Sequence, residues 1–196
     1  EIIPWKESYA TPTFGDYDND GFLDLYHTSV YGGDASVLYR NTSADDADND
    51  PSTAGSPIGK WTLSDVSEDT HTQSGNTYQA AWADFNNDGA LDLISGGKLF
   101  QNTLLGKGWL TVPLKGDGAR VNRAAVGAQV RITIGKKTYT RQVEAGTGEG
   151  NQNDLRLHFG LADHKDPVTL EILWPDKSHQ TAKNVKLRQV ISIAYA

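Results

Sequence analysis

Two short stretches written on one pattern limit this chain most. Residues 14–25 read "FGDYDNDGFLDL" and residues 83–93 read "ADFNNDGALDL". Both follow D-x-D/N-x-D-G-x-x-D. The oxygen-bearing side chains are Asp16, Asp18, Asp20 and Asp24 in the first loop, and Asp84, Asn86, Asp88 and Asp92 in the second. Gly21 and Gly89 permit the sharp bend. After the bend, the carbonyls of Phe22 and Ala90 can each add a backbone oxygen. Carboxylates crowded into one turn repel each other unless a cation lies among them. A hard, all-oxygen cage suits Ca²⁺ better than Mg²⁺, which demands a stricter octahedron. The pattern therefore predicts two Ca²⁺ sites, the second weaker because it has one carboxylate fewer. These are not EF-hands: the twelfth position holds His27 or Ser95 rather than a bidentate Glu. Leu23 and Leu25, like Leu91 and Leu93, alternate as in strands. The competing account is a pair of bare solvated turns, since Asn and Asp favour turns on their own. A structural ion is expected rather than a catalytic one.

The pattern belongs to a longer tandem repeat. Asp16 and Asp84 lie 68 residues apart, and "SVLYRNT" (36–42) aligns with "GKLFQNT" (97–103). Repetition of this kind predicts propeller-like or stacked β units. Residues 43–60, "SADDADNDPSTAGSPIGK", read as a long polar surface insertion. Within it, Asp46, Asp48 and Asp50 read as a solvated acidic loop first and a third calcium contact second. Beyond 104–108 the pattern changes. "VGAQVRITI" (126–134), "LRLHF" (155–159), "VTLEILW" (168–174) and "QVISIAY" (189–195) are strand-like, with Gly, Pro, Asn and Asp between them. The expectation is an all-β chain: two blade-like repeats over 1–105, then an antiparallel sandwich-like domain over 106–196. Charge divides along nearly the same line. Residues 1–100 hold 17 Asp/Glu against 4 Lys/Arg, a balance of -13; the remainder balances at +6, for a net charge of -7.

Several functions are disfavoured. No apolar run is long enough to span a membrane. The absence of cysteine excludes disulfides, thiolate metal sites and cysteine nucleophiles, so "WPD" (174–176) is not a phosphatase loop. "GTGEG" (146–150) lacks both the P-loop ending and the dinucleotide-fold spacing. No serine is marked as activated by a His and an acid. The basic residues of the second half are not interleaved with aromatics, which argues against nucleic acid. His158 is expected in or near the core, and Trp174 within it. Tyr31, Tyr78 and Tyr139 would suit sugar stacking if exposed. Asn41-Thr42-Ser43 is a glycosylation sequon. A chain opening on Glu1 is expected to be a processed or trimmed product.

The two Asp loops resemble the calcium loops of FG-GAP/VCBS repeats, the blades of integrin-type propellers. The second half resembles the ASPIC/UnbV domain through "GWLTVPLKG" (108–116), "VNRAAVGAQVRI" (121–132), "LHFGL" (157–161), "LEILWPDKSHQT" (170–181) and "NVKLRQVISI" (184–193). It departs from that domain at Lys177, where a turn glycine is usual, and over "GTGEGNQND" (146–154). The resemblance implies calcium-dependent structure, an extracellular or cell-surface location, and adhesion or assembly without catalysis. Two repeats do not close a propeller of about four to eight blades. Open strand edges and opposite charges on the halves lead to an expectation of head-to-tail self-association, as in a filament or matrix subunit. Extracellular proteins or glycans are the other partners expected. A carbohydrate-binding module is the alternative, and a glycan-active enzyme using paired carboxylates ranks last.

Overall fold

A computed structural model describes residues 3, 6–42 and 62–196. The acidic run Asp46, Asp48 and Asp50 lies outside the described residues. Among the described residues the chain is all β, and no helix is long and apolar enough to cross a membrane.

The first repeat forms a four-stranded antiparallel meander of β1 (Tyr9–Gly15), β2 (Asp24–Ser29), β3 (Val37–Asn41) and β4 (Leu63–Asp65). The second forms a three-stranded meander of β5 (Ala80–Ala83), β6 (Asp92–Ser95) and β7 (Lys98–Phe100), with no counterpart of β4 among the described residues. In each repeat the Asp loop joins the first strand to the second. The two sheets pack face to face. Tyr17, Tyr26 and Leu38 of the first repeat meet Ala80, Trp82, Leu91 and Leu93 of the second. Tyr26 and Trp82 meet edge to face, their ring centroids 6.4 Å apart. The far side of the first sheet buries Leu25, Val37 and Tyr39 against Ile3, Tyr9 and Leu63.

The second half is a two-sheet arrangement without a closed barrel. One sheet has the order β11 (Lys137–Gln142), β10 (Gln129–Ile134), β13 (Val168–Leu173), β14 (His179–Val185). Facing it are β12 (Leu157–Gly160), β8 (Trp109–Val112) and β15 (Gln189–Val190), with a pair of β9 (Leu114–Lys115) and β16 (Ile193–Ala194) alongside. Period-two alternation points Val130, Ile132, Val168, Leu170 and Ile172 inward, against Leu110, Val112, Leu157 and Phe159. Each fully buried side chain of this kind contributes about 1.5–3 kcal/mol, so this core is the main anchor of the half. Trp174 is buried in it and donates Nε1–H to Gln180. "QVISIAY" (189–195) is divided into β15 and β16, which pair in parallel with β8 and β9 within an otherwise antiparallel plan. Lys177 takes a left-handed backbone, φ 71°, in the turn between β13 and β14.

The candidate cation loops and their clamp

Both loops use one backbone scheme. In the first, Asp16 Oδ2 accepts the Gly21 amide (3.0 Å); in the second, Asp84 Oδ2 accepts that of Gly89 (3.0 Å). Asp24 closes its loop by accepting the amides of Tyr17 (3.1 Å) and Asn41 (2.8 Å). Asp92 does the same with Phe85 (3.2 Å) and Asn102 (2.8 Å). The bends need a left-handed backbone twice over, at Asn19 (φ 57°) and Gly21 (φ 95°), and at Asn87 (φ 59°) and Gly89 (φ 88°). Asn tolerates that region better than most residues, and Gly tolerates it freely.

The first loop is the enclosed one. One oxygen from each of Asp16, Asp18 and Asp24 falls within 4.8 Å of the others. Asp16 and Asp24 are buried, and Asp18 is half-buried. Asp16 Oδ1 is buried with no hydrogen-bond partner. Asp20 stands apart from that trio. Its Oδ1 accepts the Phe22 amide (2.8 Å), and its Oδ2 lies 3.4 Å from Arg40 Nη2. Arg40 Nε also reaches Asp18 Oδ2 (2.8 Å), Lys107 Nζ lies 4.0 Å from Asp18 Oδ1, and Arg141 Nη2 lies 3.6 Å from Asp16 Oδ2. Burial still dominates the electrostatics. It raises the Asp16 carboxyl to about 7 despite Arg141, and that of Asp24 to about 8 despite its backbone donors; neighbouring carboxylates add to both. Burial raises Asp20 as well.

In the second loop, Asp88 Oδ1 accepts the Ala90 amide (2.9 Å), while Asn86 lies across Asp88, its Nδ2 2.7 Å from Asp88 Oδ2. Phe85, Asn86 and Asn87 at its tip are exposed. Asp84 and Asp92 are buried, and burial raises both carboxyls. Among the described residues, three acidic side chains converge at the first loop and not at the second.

Sequence reasoning missed the parts that hold the loops in place. Asn41 Nδ2 donates to the Leu23 carbonyl, and Asn102 Nδ2 to those of Leu91 and Tyr17. The aligned N-T pairs carried that signal. Asn41 is buried, so the sequon asparagine is part of the first loop's frame. The second half supplies a clamp for each loop. Arg141 contacts Asp16 and the Gly21 carbonyl, and the Tyr139 ring lies where a Cβ on Gly21 would fall. Arg156 donates to the Asp84 carbonyl (2.7 Å) and Asn87 Oδ1 (2.6 Å), and Trp109 occupies the space beside Gly89. Tyr139 is thus a wedge rather than an exposed platform, whereas Tyr31 and Tyr78 are exposed.

His158 completes the first clamp. Asn19 Nδ2 donates to the Gly89 carbonyl (2.7 Å), which leaves Asn19 Oδ1 as the acceptor for His158 Nε2–H (2.7 Å). His158 Nδ1 then accepts from the Thr111 hydroxyl (3.3 Å). Burial, with Arg141 and Arg156 nearby, lowers this imidazole to about 3, so it is neutral. Beside the clamp a cleft of ≈ 320 Å³ opens between the halves, lined by Phe14, Trp82, Arg141, Gln152, Asn153 and Asp154 among others.

No curated protein matches the chain. The family match begins inside the second half, after β8 and β9, although both strands share its core. Residues 118–196 match the family described as ASPIC and UnbV.

Proposed function

We propose that this chain is a non-enzymatic, calcium-binding extracellular module acting in adhesion or self-assembly, its first half made of FG-GAP/VCBS-type repeats. Two observations at one residue set carry this: Asp16, Asp18 and Asp24 each bring an oxygen within 4.8 Å of the others, and the buried Asp16 Oδ1 has no hydrogen-bond partner. A buried, unpaired carboxylate oxygen is costly, and a hard cation removes that cost. The donor set is oxygen only, which fits Ca²⁺. In the first loop Asp16, Asp18 and Asp24 would hold the ion, with Asp20 and the Phe22 carbonyl completing the set on local adjustment. In the second, Asp84, Asn86, Asp88, Asp92 and the Ala90 carbonyl would do so more weakly. The bound ion would supply fixed positive charge. The chain's own residues shape the two bends and present them to the second half.

Thermal unfolding in EDTA and in millimolar calcium tests the ion. Ligand linkage gives about 2.7 kcal/mol per site when calcium is about a hundredfold above its dissociation constant. Asp18→Ala, at a half-buried position, is expected to remove most of the first loop's share. Asp88→Ala is expected to remove a smaller one. A parent protein whose melting is unaffected by calcium would overturn the proposal.

The cleft favours a second reading, a carbohydrate-binding module, because it combines the exposed Phe14 with the amides of Gln152 and Asn153. Retention on insoluble polysaccharide that is lost on Phe14→Ala would support it. Absence of retention on every glycan tried would remove it.

A further inference from the structure

The two repeats differ at one position that lies outside either loop. "SVLYRNT" (36–42) aligns with "GKLFQNT" (97–103), which matches Arg40 of β3 with Gln101, just after β7. The adjoining Asn41 and Asn102 have the same role in both repeats: each gives its backbone amide to the last aspartate of its loop, at 2.8 Å. Positions 40 and 101 therefore sit in equivalent frames. Arg40 is half-buried and spans two carboxylates, its Nε 2.8 Å from Asp18 Oδ2 and its Nη2 3.4 Å from Asp20 Oδ2. The other Asp20 oxygen, Oδ1, accepts the Phe22 amide (2.8 Å). Both oxygens of Asp20 are thus engaged, and Asp16, Asp18 and Asp24 converge without it. In the second loop the matching residue is the neutral Gln101. Asp88, the counterpart of Asp20, meets the Asn86 side-chain amide and the Ala90 N–H instead.

We propose that Arg40 is a specificity-determining residue of the first loop: it withholds Asp20, and so sets how far the loop prefers calcium to magnesium. The inference rests on the ion reading above. Mg²⁺ keeps several of its waters and is held through few carboxylates, whereas Ca²⁺ takes about six to eight oxygens. The trio of Asp16, Asp18 and Asp24 is enough for magnesium. Calcium needs Asp20 and the Phe22 carbonyl as well, and it gains Asp20 only by breaking that residue's contact with Arg40. The cost of the exchange falls on calcium and not on magnesium. The contact between Arg40 and Asp18 weighs on both ions, because both use Asp18. The positive charge of Arg40 likewise opposes both, since both are divalent. A lysine at this position keeps the charge but lacks the planar fork that spans two carboxylates. The charge and the hold on Asp20 are therefore separable.

The test is calorimetric titration of the full chain with calcium chloride and with magnesium chloride, read at the step that Asp88→Ala leaves in place. Arg40→Gln writes the second repeat's residue into the first. It is expected to tighten calcium about tenfold more than it tightens magnesium, as the loss of one charge-assisted contact would. Arg40→Lys is expected to bind magnesium like the parent and calcium more tightly. In Asp20→Ala the withheld carboxylate is gone, so adding Arg40→Gln should shift both ions equally. Tryptophan fluorescence of each variant should match the parent's, and Arg40→Lys carries the test if Arg40→Gln does not fold. Equal shifts for the two ions in the Arg40 variants overturn the proposal, as does a calcium-selective shift that persists without Asp20. Either outcome leaves the ion reading standing, whereas a parent that takes up neither ion at the first loop loses both.

Discussion

The two Asp loops share one backbone scheme and differ in what surrounds it. The first holds four carboxylates, converges three of them, and lies under Arg40, Lys107 and Arg141. The second holds three carboxylates and an Asn, has an exposed tip, and is gripped through its backbone and Asn87 by Arg156. The repeat therefore specifies the turn, whereas the cations around it, Arg40 from its own sheet and Lys107 and Arg141 from the second half, offset the charge that the first turn holds. A carboxylate cluster becomes a candidate ion site by enclosure as well as by its own sequence.

Arg141→Met should give the largest separation between the loops. Arg141 is the partner of the buried Asp16, and breaking a buried pair from one side costs about 3–5 kcal/mol. In EDTA the variant is expected to melt far below the parent. Calcium should recover more of its stability than it adds to the parent, because the competing positive charge is gone. Arg156→Met removes bonds to a carbonyl and to an exposed amide together with the half-buried ion pair to Asp154, and should cost about 2 kcal/mol with little change in calcium response. Equal losses in the two variants would show that enclosure does not distinguish the loops.

The left-handed asparagines come next. Asn19→Ala strands His158 Nε2–H and the Gly89 carbonyl in the interior and adds backbone strain, so a loss of about 3 kcal/mol is expected. Asn87→Ala keeps the strain but loses only an exposed contact, for about 1 kcal/mol. Urea midpoints check both. A Gly at each position isolates the strain, and recovery should be nearly full at 87 and partial at 19.

A pH series in EDTA gives a smaller effect of defined sign. Asp16 and Asp24 are raised to about 7 and about 8 in the fold, from an ordinary value of 3.8. The folded state therefore binds more protons than the unfolded chain across that interval, and stability falls as pH rises through it. His158 acts in the opposite direction: its folded value of about 3 lies below 6.5, so its contribution is lost as pH falls below 6.5. The carboxylates are thus read cleanly between pH 6.5 and 8, where EDTA-treated protein should lose stability. The groups facing the pair are Asp18, Asp20, Arg40, Lys107, Tyr139 and Arg141. Calcium should flatten the slope by holding both carboxylates ionised, and Asp16→Asn should remove part of it. A flat profile in EDTA would mean that these two carboxyls are not held protonated.

Much of this was legible beforehand, for identifiable reasons. Asp, Asn and Gly at fixed spacing report local turn chemistry, so both loops and their bends could be read directly from the sequence. Alternation at Val130–Ile132 and Val168–Ile172 reports a half-buried sheet in the same way. Asp20 lies outside the converging trio and meets Arg40 of β3 at 3.4 Å, a contact that the loop's own spacing does not encode. Arg141 and His158 reach the first loop from 120 and 139 residues downstream, and Trp109 reaches Gly89 from the second half; no local pattern encodes those contacts. The parallel pairing of β15 and β16 was hidden likewise, since alternation fixes which face is buried and not which neighbour is chosen.

Lys107→Ala should have the smallest effect. Its Nζ lies 4.0 Å from Asp18 Oδ1, and its side chain is well exposed, so the pair is screened by water and salt. Stability should change by less than about 0.5 kcal/mol. Its influence belongs instead to the ion: one positive charge fewer at the mouth of the first loop should tighten calcium binding there at low salt, and the gain should fade as salt is added. The second loop, with no lysine in that place, should titrate as in the parent. If Lys107→Ala shifted both calcium steps together, the loops would be communicating through the Asn19–Gly89 bond that joins them, and the contrast between an enclosed site and an open one would give way to a single coupled pair.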